Sequence, residues 1–126
     1  PDGDVWRIGI EHPSQASAAP YQRLAIRDLA VATSGSYRNF RQWNGRRYCH
    51  SIDPRTGYPV VHDLTSVTVA APSTMDADVW STALMVLGTD AGEALARNQG
   101  VAAYFITETR SGFMSSWTPA MEPWMV

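Results

Sequence analysis

Apolar and polar positions alternate most cleanly over Leu64-Thr65-Ser66-Val67-Thr68-Val69-Ala70-Ala71, which predicts a strand with Val67 and Val69 on one face and Thr68 on the other, stopped by Pro72. Weaker alternation from Val5 to Ile10 predicts another strand, ended by Glu11-His12-Pro13. A small-residue surface linker over 14–20 leads to two runs of β-formers and aliphatics, Arg23 to Ile26 and Leu29 to Ala32, separated by Arg27-Asp28. These read as strands of one antiparallel sheet. Thr33-Ser34-Gly35-Ser36 then breaks the pattern. Asn44-Gly45, between Trp43 and Arg46, is the clearest hairpin signal in the chain and delivers Tyr48-Cys49-His50 as the start of a further strand.

Beyond Pro72 the period lengthens, predicting a helix from about Met75 to Leu87. Ser73 or Thr74 caps it, Asp76 suits the positive end of the helix dipole, and Gly88 stops it. At 100° per residue, Val79, Ala83, Leu84, Val86 and Leu87 gather with Trp80, opposite Asp78, Ser81, Thr82 and Met85. Thr89-Asp90 caps a second helix, Ala91 to Asn98, ended by Gly100. Val101 to Thr107 and Phe113 to Trp117 read as strands joined by the turn Arg110-Ser111-Gly112, and the apolar tail 118–126 reads as irregular and packed onto the domain or onto a missing part. The fold class expected is α+β, a mainly antiparallel sheet packed against a helix hairpin.

Composition narrows this picture. With 126 residues, 44% hydrophobic and 17% charged, the chain is sized for one domain with a modest core. No apolar run approaches the ~20 residues of a spanning helix. The chain starts at Pro1 rather than Met and enters its first strand almost at once, so it reads as a piece of something longer. Net charge is -2, with all ten basic side chains arginine, which argues against a polyanion-binding domain. Charge is nonetheless uneven: residues 1–60 carry eight Arg against five acids, and residues 61–126 two Arg against seven acids. The cluster Arg38, Arg41, Arg46, Arg47 reads as a phosphate-meeting set or a solvated basic face. A single cysteine, Cys49, rules out an intrachain disulfide.

Candidate chemistry centres on His50-Ser51-Ile52-Asp53-Pro54-Arg55-Thr56-Gly57-Tyr58-Pro59. Asp53 and Pro54 suit a type I turn, and Gly57 tolerates positive φ. Such a restricted turn holds the preceding His50 in place, as a general base requires, with Asp53 either orienting it or occupied inside its own turn. A plain hairpin turn following a histidine accounts for the same residues. Ser34 and Gly35 offer a hydroxyl and bare backbone to a close ligand, or form a simple turn. Asp78 and Thr82 project side by side at i and i+4, a hard-oxygen pair suited to Mg2+, though an aspartate near a helix start is common on other grounds. His12 and His62 carry no assigned role.

Taken together, Ala32-Thr33-Ser34-Gly35-Ser36-Tyr37-Arg38, then Tyr48 to Pro59, then Ala77-Asp78-Val79-Trp80-Ser81-Thr82-Ala83 resemble the ApbE family of FAD:protein FMN transferases, in the family's order and spacing. The resemblance covers nearly the whole chain and implies that residues 1–126 are the C-terminal portion of an ApbE-like domain. It implies Mg2+-dependent transfer of FMN from FAD to a threonine hydroxyl of an acceptor flavoprotein, with release of AMP. His50 would be the base, and Asp78 and Thr82 would hold the metal. Ile52 and Asp53 would lie against the flavin nucleotide, with Ser34 and Gly35 beside it. The resemblance further implies a periplasmic or inner-membrane-associated protein, anchored if at all by a lipid outside this chain. Two other functions fit the same residues: a Mg2+-dependent FAD pyrophosphatase, with water as acceptor, and a non-catalytic flavin-binding module.

Overall fold

The computed structural model describes residues 4–14, 17–37 and 40–126, without the side chains of residues 40, 46 and 47. Of the arginine cluster, Arg38 therefore lies outside the described residues, and Arg41 is exposed.

Strand β1 (Trp6–Ile10) pairs antiparallel with β2 (Gln22–Ile26) in a separate ribbon. A four-stranded antiparallel sheet holds the order β10-β9-β8-β3, from β3 (Ala30–Gly35), β8 (Leu64–Ala71), β9 (Ala102–Thr109) and β10 (Gly112–Trp117). Between β3 and β8 lie two small hairpins, β4 (Phe40–Trp43) with β5 (Arg46–Cys49) and β6 (Ile52–Asp53) with β7 (Tyr58–Pro59). Helices α1 (Thr74–Leu87) and α2 (Thr89–Asn98) join β8 to β9. The architecture is α+β, as expected. No helix is long and apolar enough to cross a membrane among the described residues.

Both faces of the sheet are covered, which explains why all eight residues of β8 are buried. On one face Val67, Val69, Ala103 and Phe105 meet Ala77, Leu84 and Met85 of α1 and Ala96 of α2. On the other, Ala70, Ala102, Tyr104 and Ile106 meet Leu24 and Ile26 of the ribbon and Met121 of the tail. A bulge between Leu64 and Ser66 adds one residue to β8, so Leu64 turns to the helix face with Val67 rather than away from it. The tail is less irregular than its composition suggests: Glu122–Trp124 form a 3-10 turn, and Met125 bridges to Leu24.

Several expectations need correction. The runs ending at Ile26 and Ala32 do not share a sheet, because Leu24 and Ile26 bury against the sheet's outer face and place β2 across it. Thr33-Ser34-Gly35 does not break β3 but completes it, paired with Thr68, Val67 and Ser66. His50 falls just past the end of β5. The Asn44-Gly45 hairpin forms as expected, with φ of 49° and 73° at its two central residues.

Helix α1 begins where the sequence places it. Ser73 accepts from the Asp76 amide at 3.1 Å and donates to Asp76 Oδ2 at 2.7 Å, a reciprocal cap. Replacing Ser73 with Ala is expected to destabilise the fold by about 1 kcal/mol, read from denaturant unfolding. The buried face of α1 matches the expected one only in part, at Leu84 and at half-buried Trp80. Ala77, Ser81, Leu84 and Met85 are buried, while Val79 remains 60% exposed and Ala83 is exposed. Apolar side chains are spread around the helix, so hydrophobicity alone does not select a face, and buried Ser81 has its hydroxyl within hydrogen-bond distance of Ser34 and of the Asp78 carbonyl. Thr89 is likewise not a cap but the first residue of α2, its hydroxyl 2.9 Å from that of Thr107.

Candidate functional site

Two groups of sequence-predicted residues come together on adjoining elements. The first lies where β3 runs alongside α1. Ser34 Oγ is 3.0 Å from Ser81 Oγ and 3.4 Å from Thr82 Oγ1, and the Ser81 hydroxyl is 3.0 Å from the Asp78 carbonyl oxygen, to which it donates. Asp78 and Thr82 are both exposed, one turn apart on the same side of α1. Strand residue Ser34 thus meets the helix pair through a chain of hydroxyls, with Ser81 as the link that sequence reasoning put on the wrong face. Gly35 has a packing reason to be glycine: a Cβ there would stand 2.8 Å from the Tyr37 ring. The Tyr37 hydroxyl donates to Glu11 Oε2 at 2.8 Å, and Ser36 N donates to the Thr65 carbonyl at 2.9 Å, so the end of β3 is closely held.

The second group is the turn. Asp53 O accepts from Thr56 N at 3.2 Å and Gly57 N at 2.8 Å, Gly57 has φ 74°, and Val60 N closes the loop onto Ser51 O at 3.1 Å. The Asp53 carboxylate accepts from the Arg55 amide at 2.8 Å and from the Arg55 guanidinium through both oxygens, at 3.0 and 2.8 Å. Of the two roles open to Asp53, the structure fills the one inside its own turn. His50 and Ile52 are exposed at the head of this loop, and β6 lies against α1, which carries Asp78 and Thr82.

Hydrogen bonds from the Arg55 side chain and amide hold the Asp53 carboxyl below its ordinary pKa. A carboxylate so depressed stabilises the turn above its unfolded pKa, and that contribution is lost as pH falls through the lower, folded value. Arg55→Ala is expected to bring the Asp53 titration back toward the ordinary carboxylate range, followed by carboxyl 13C NMR. An unchanged midpoint would show that the turn's backbone alone sets it.

Sequence reasoning gave no role to His62, yet its Nε2 lies 2.6 Å from the Met85 carbonyl oxygen. No periodicity or motif marks a contact between a loop and the end of a helix. A cleft of about 420 Å3 has a wall that includes Ser36, Tyr37, Cys49, His62 and Glu108, and none of the sequence-predicted site residues lines it.

The hard oxygens of Asp78, Thr82 and Ser34 suit a divalent cation of the Mg2+ type. Among the described residues no three His, Cys, Asp or Glu side chains stand together as a metal-holding group. A cation held by Asp78, Thr82 and Ser34 would draw on one carboxylate and hydroxyls, a donor set that suits Mg2+ where phosphate oxygens or water complete its shell.

Sheet and helix pair together define an α+β chain, and comparison with known proteins gives its family. The ApbE family model matches residues 1–105. The chain is 40% identical to the FAD:protein FMN transferase of Klebsiella pneumoniae (strain 342), over 99% of this chain and 36% of that protein. It is 39% identical to that of Escherichia coli (strain K12), over 99% of this chain and 36% of that protein. The apo structure of the Pseudomonas stutzeri flavinyl transferase ApbE superimposes with a TM-score of 0.82 at 45% identity, covering 98% of this chain and 38% of that one. The ApbE protein of Thermotoga maritima does so at 0.82 and 28% identity, covering 98% and 39%. This chain belongs to the ApbE family. It spans about 36% of the length of the curated relatives named here.

Proposed function

We propose that this chain is the C-terminal portion of a Mg2+-dependent FAD:protein FMN transferase, which moves FMN from FAD to a threonine hydroxyl of an acceptor flavoprotein and releases AMP. The observation that carries the reading is the meeting of Ser34 with Ser81 and Thr82, which joins two of the three family motifs into one polar edge. The names and structures of its relatives support flavin transfer; the metal, the threonine and the AMP product are the finer content of the proposal.

In this reading His50 takes the proton from the acceptor hydroxyl. The freed oxygen bonds to the phosphorus on the FMN side of the FAD pyrophosphate, and the bond from that phosphorus to the bridging oxygen breaks. AMP leaves with that oxygen. Asp78 and Thr82 would hold Mg2+, which when bound neutralises charge on the pyrophosphate. Ser34 and Gly35 bound the nucleotide from the strand side, and the backbone of Ile52 and Asp53 bounds it from the turn. The Asp53–Arg55 pairing keeps that turn in one shape.

The test is incubation of the full-length protein with FAD, Mg2+ and a threonine-bearing acceptor peptide, read by mass spectrometry. FMN covalently attached to the threonine, with AMP in equal amount and dependence on Mg2+, is the expected result. Free FMN with AMP and no flavinylated peptide would make the protein a pyrophosphatase, and neither product would leave only a binding module.

A further inference from the structure

We propose that His62 is a positioning residue, fastening the loop that carries His50 to the helix that carries Asp78 and Thr82. The inference rests on the transferase reading above for its catalytic meaning, and on geometry for the fastening itself.

His62 Nε2 lies 2.6 Å from the Met85 carbonyl oxygen. A carbonyl oxygen only accepts, so Nε2 is a protonated ring nitrogen and donates. Met85 stands in the last turn of α1, where carbonyls lack an intrahelical partner and the negative end of the helix dipole collects. The imidazole satisfies one of those carbonyls from outside the helix. Gly88, which ends α1, is shaped to admit it. Its φ of 82° and ψ of 178° suit glycine almost alone, and a Cβ there would stand 3.1 Å from His62 Cδ2.

At its other side, His62 closes the motif loop. The segment from Ser51 to Val60 is a closed unit, tied by Val60 N to Ser51 O and by the β6 and β7 pairing. His50 immediately precedes it, and His62 follows Val60 by two residues. Between this loop and the end of α1 lies a cavity of about 370 Å3, lined by Asp53, Thr56, Val60, His62, Val86 and Leu87. That cleft is open to solvent, so on this side the loop meets the end of the helix through few packed side chains. The His62 hydrogen bond spans the same gap. A general base displaced by about 1 Å can lose on the order of 100-fold in rate, so a fastening point here, beside the contact of β6 with α1, has catalytic weight.

The experiment uses the full-length protein with His62→Ala and His62→Gln. Two readouts are taken: flavin-transfer kinetics on a threonine-bearing peptide, and amide hydrogen exchange over residues 50–63. His62→Ala is expected to lower kcat about 10- to 100-fold while KM for FAD stays within about threefold, and to speed exchange in the loop. His62→Gln keeps an N–H donor and is expected to recover most of both. Parent-level kcat and exchange in His62→Ala would overturn the proposal. So would a glutamine variant no better than alanine, or a rise in KM with kcat unchanged. If the parent protein transfers no flavin, the transferase reading fails, and exchange still decides the fastening: acceleration in His62→Ala but not in His62→Gln supports it, and equal exchange in parent and both variants overturns it.

Discussion

Full-length protein carrying His50→Ala transfers no measurable flavin to a threonine acceptor but binds FAD with nearly the parent affinity. That is the expected result, and its two halves have separate causes. A positioned general base contributes about 10²- to 10⁴-fold, so its removal takes a slow group transfer below detection. Binding is spared because His50 is an exposed side chain at the head of a loop whose shape is fixed by other residues. Asp53, Arg55, Gly57 and the Val60 to Ser51 bond all contribute to holding that loop. Single-turnover kinetics beside FAD titration by flavin fluorescence separate the two. Transfer at the parent rate would remove His50 from the base role, and a matching loss of FAD affinity would make it a binding residue.

Asp78→Ala is expected to weaken Mg2+ dependence and FAD binding together. Asp78 is the carboxylate of the helix pair, and Thr82 and Ser34 contribute only hydroxyls. Among the described residues no larger acidic or histidine cluster stands ready to compensate. Even residues that merely orient a metal ligand cost 10- to 100-fold in metal affinity when replaced, so loss of a ligand costs at least about that. FAD affinity would fall with it, because a cation held by Asp78 beside the nucleotide would couple the two equilibria. Titrating FAD at several Mg2+ concentrations tests this. A variant that loses FAD affinity equally with and without Mg2+ would place Asp78 on the nucleotide rather than on the metal. The contrast with His50→Ala matters as much as either result: one variant fails in the chemical step, the other in assembling the site.

How much of this was legible beforehand depended on whether a feature is local. The alternation of Leu64 to Ala71 announced β8, but the bulge that turns Leu64 toward the helices is set by partner register and leaves no mark in the alternation. The cap at Ser73 and the stop at Gly88 are local and were read correctly. The buried face of α1 was read only in part: Leu84 is buried as expected, but Val79 and Ala83 look like core and are exposed, while Ser81 is buried where its hydroxyl meets Ser34 across to β3. The separation of β2 from β3 depends on Leu24 and Ile26 covering the sheet's outer face, a tertiary preference that overrides proximity in sequence. For the site, the turn geometry and the i, i+4 pair followed from residue types, and motif order carried the family. The contacts of Ser34 with α1 and of His62 with Met85 join residues far apart in sequence, and no single-segment pattern reports them.

The order of the sheet also has a consequence for how the protein acquires activity. Strand β8 pairs with β3 on one side and β9 on the other. The first pairing closes a loop that contains both hairpins and His50; the second closes a loop that contains α1 and α2. Non-local closures of this kind are the slow, entropy-limited events of folding. His50 on one side, and Asp78 with Thr82 on the other, are therefore each carried inside a loop that the central strand must tie off, and neither is in place until it has done so. During refolding, flavin binding should appear only with the late, sheet-forming phase, never with early helix formation.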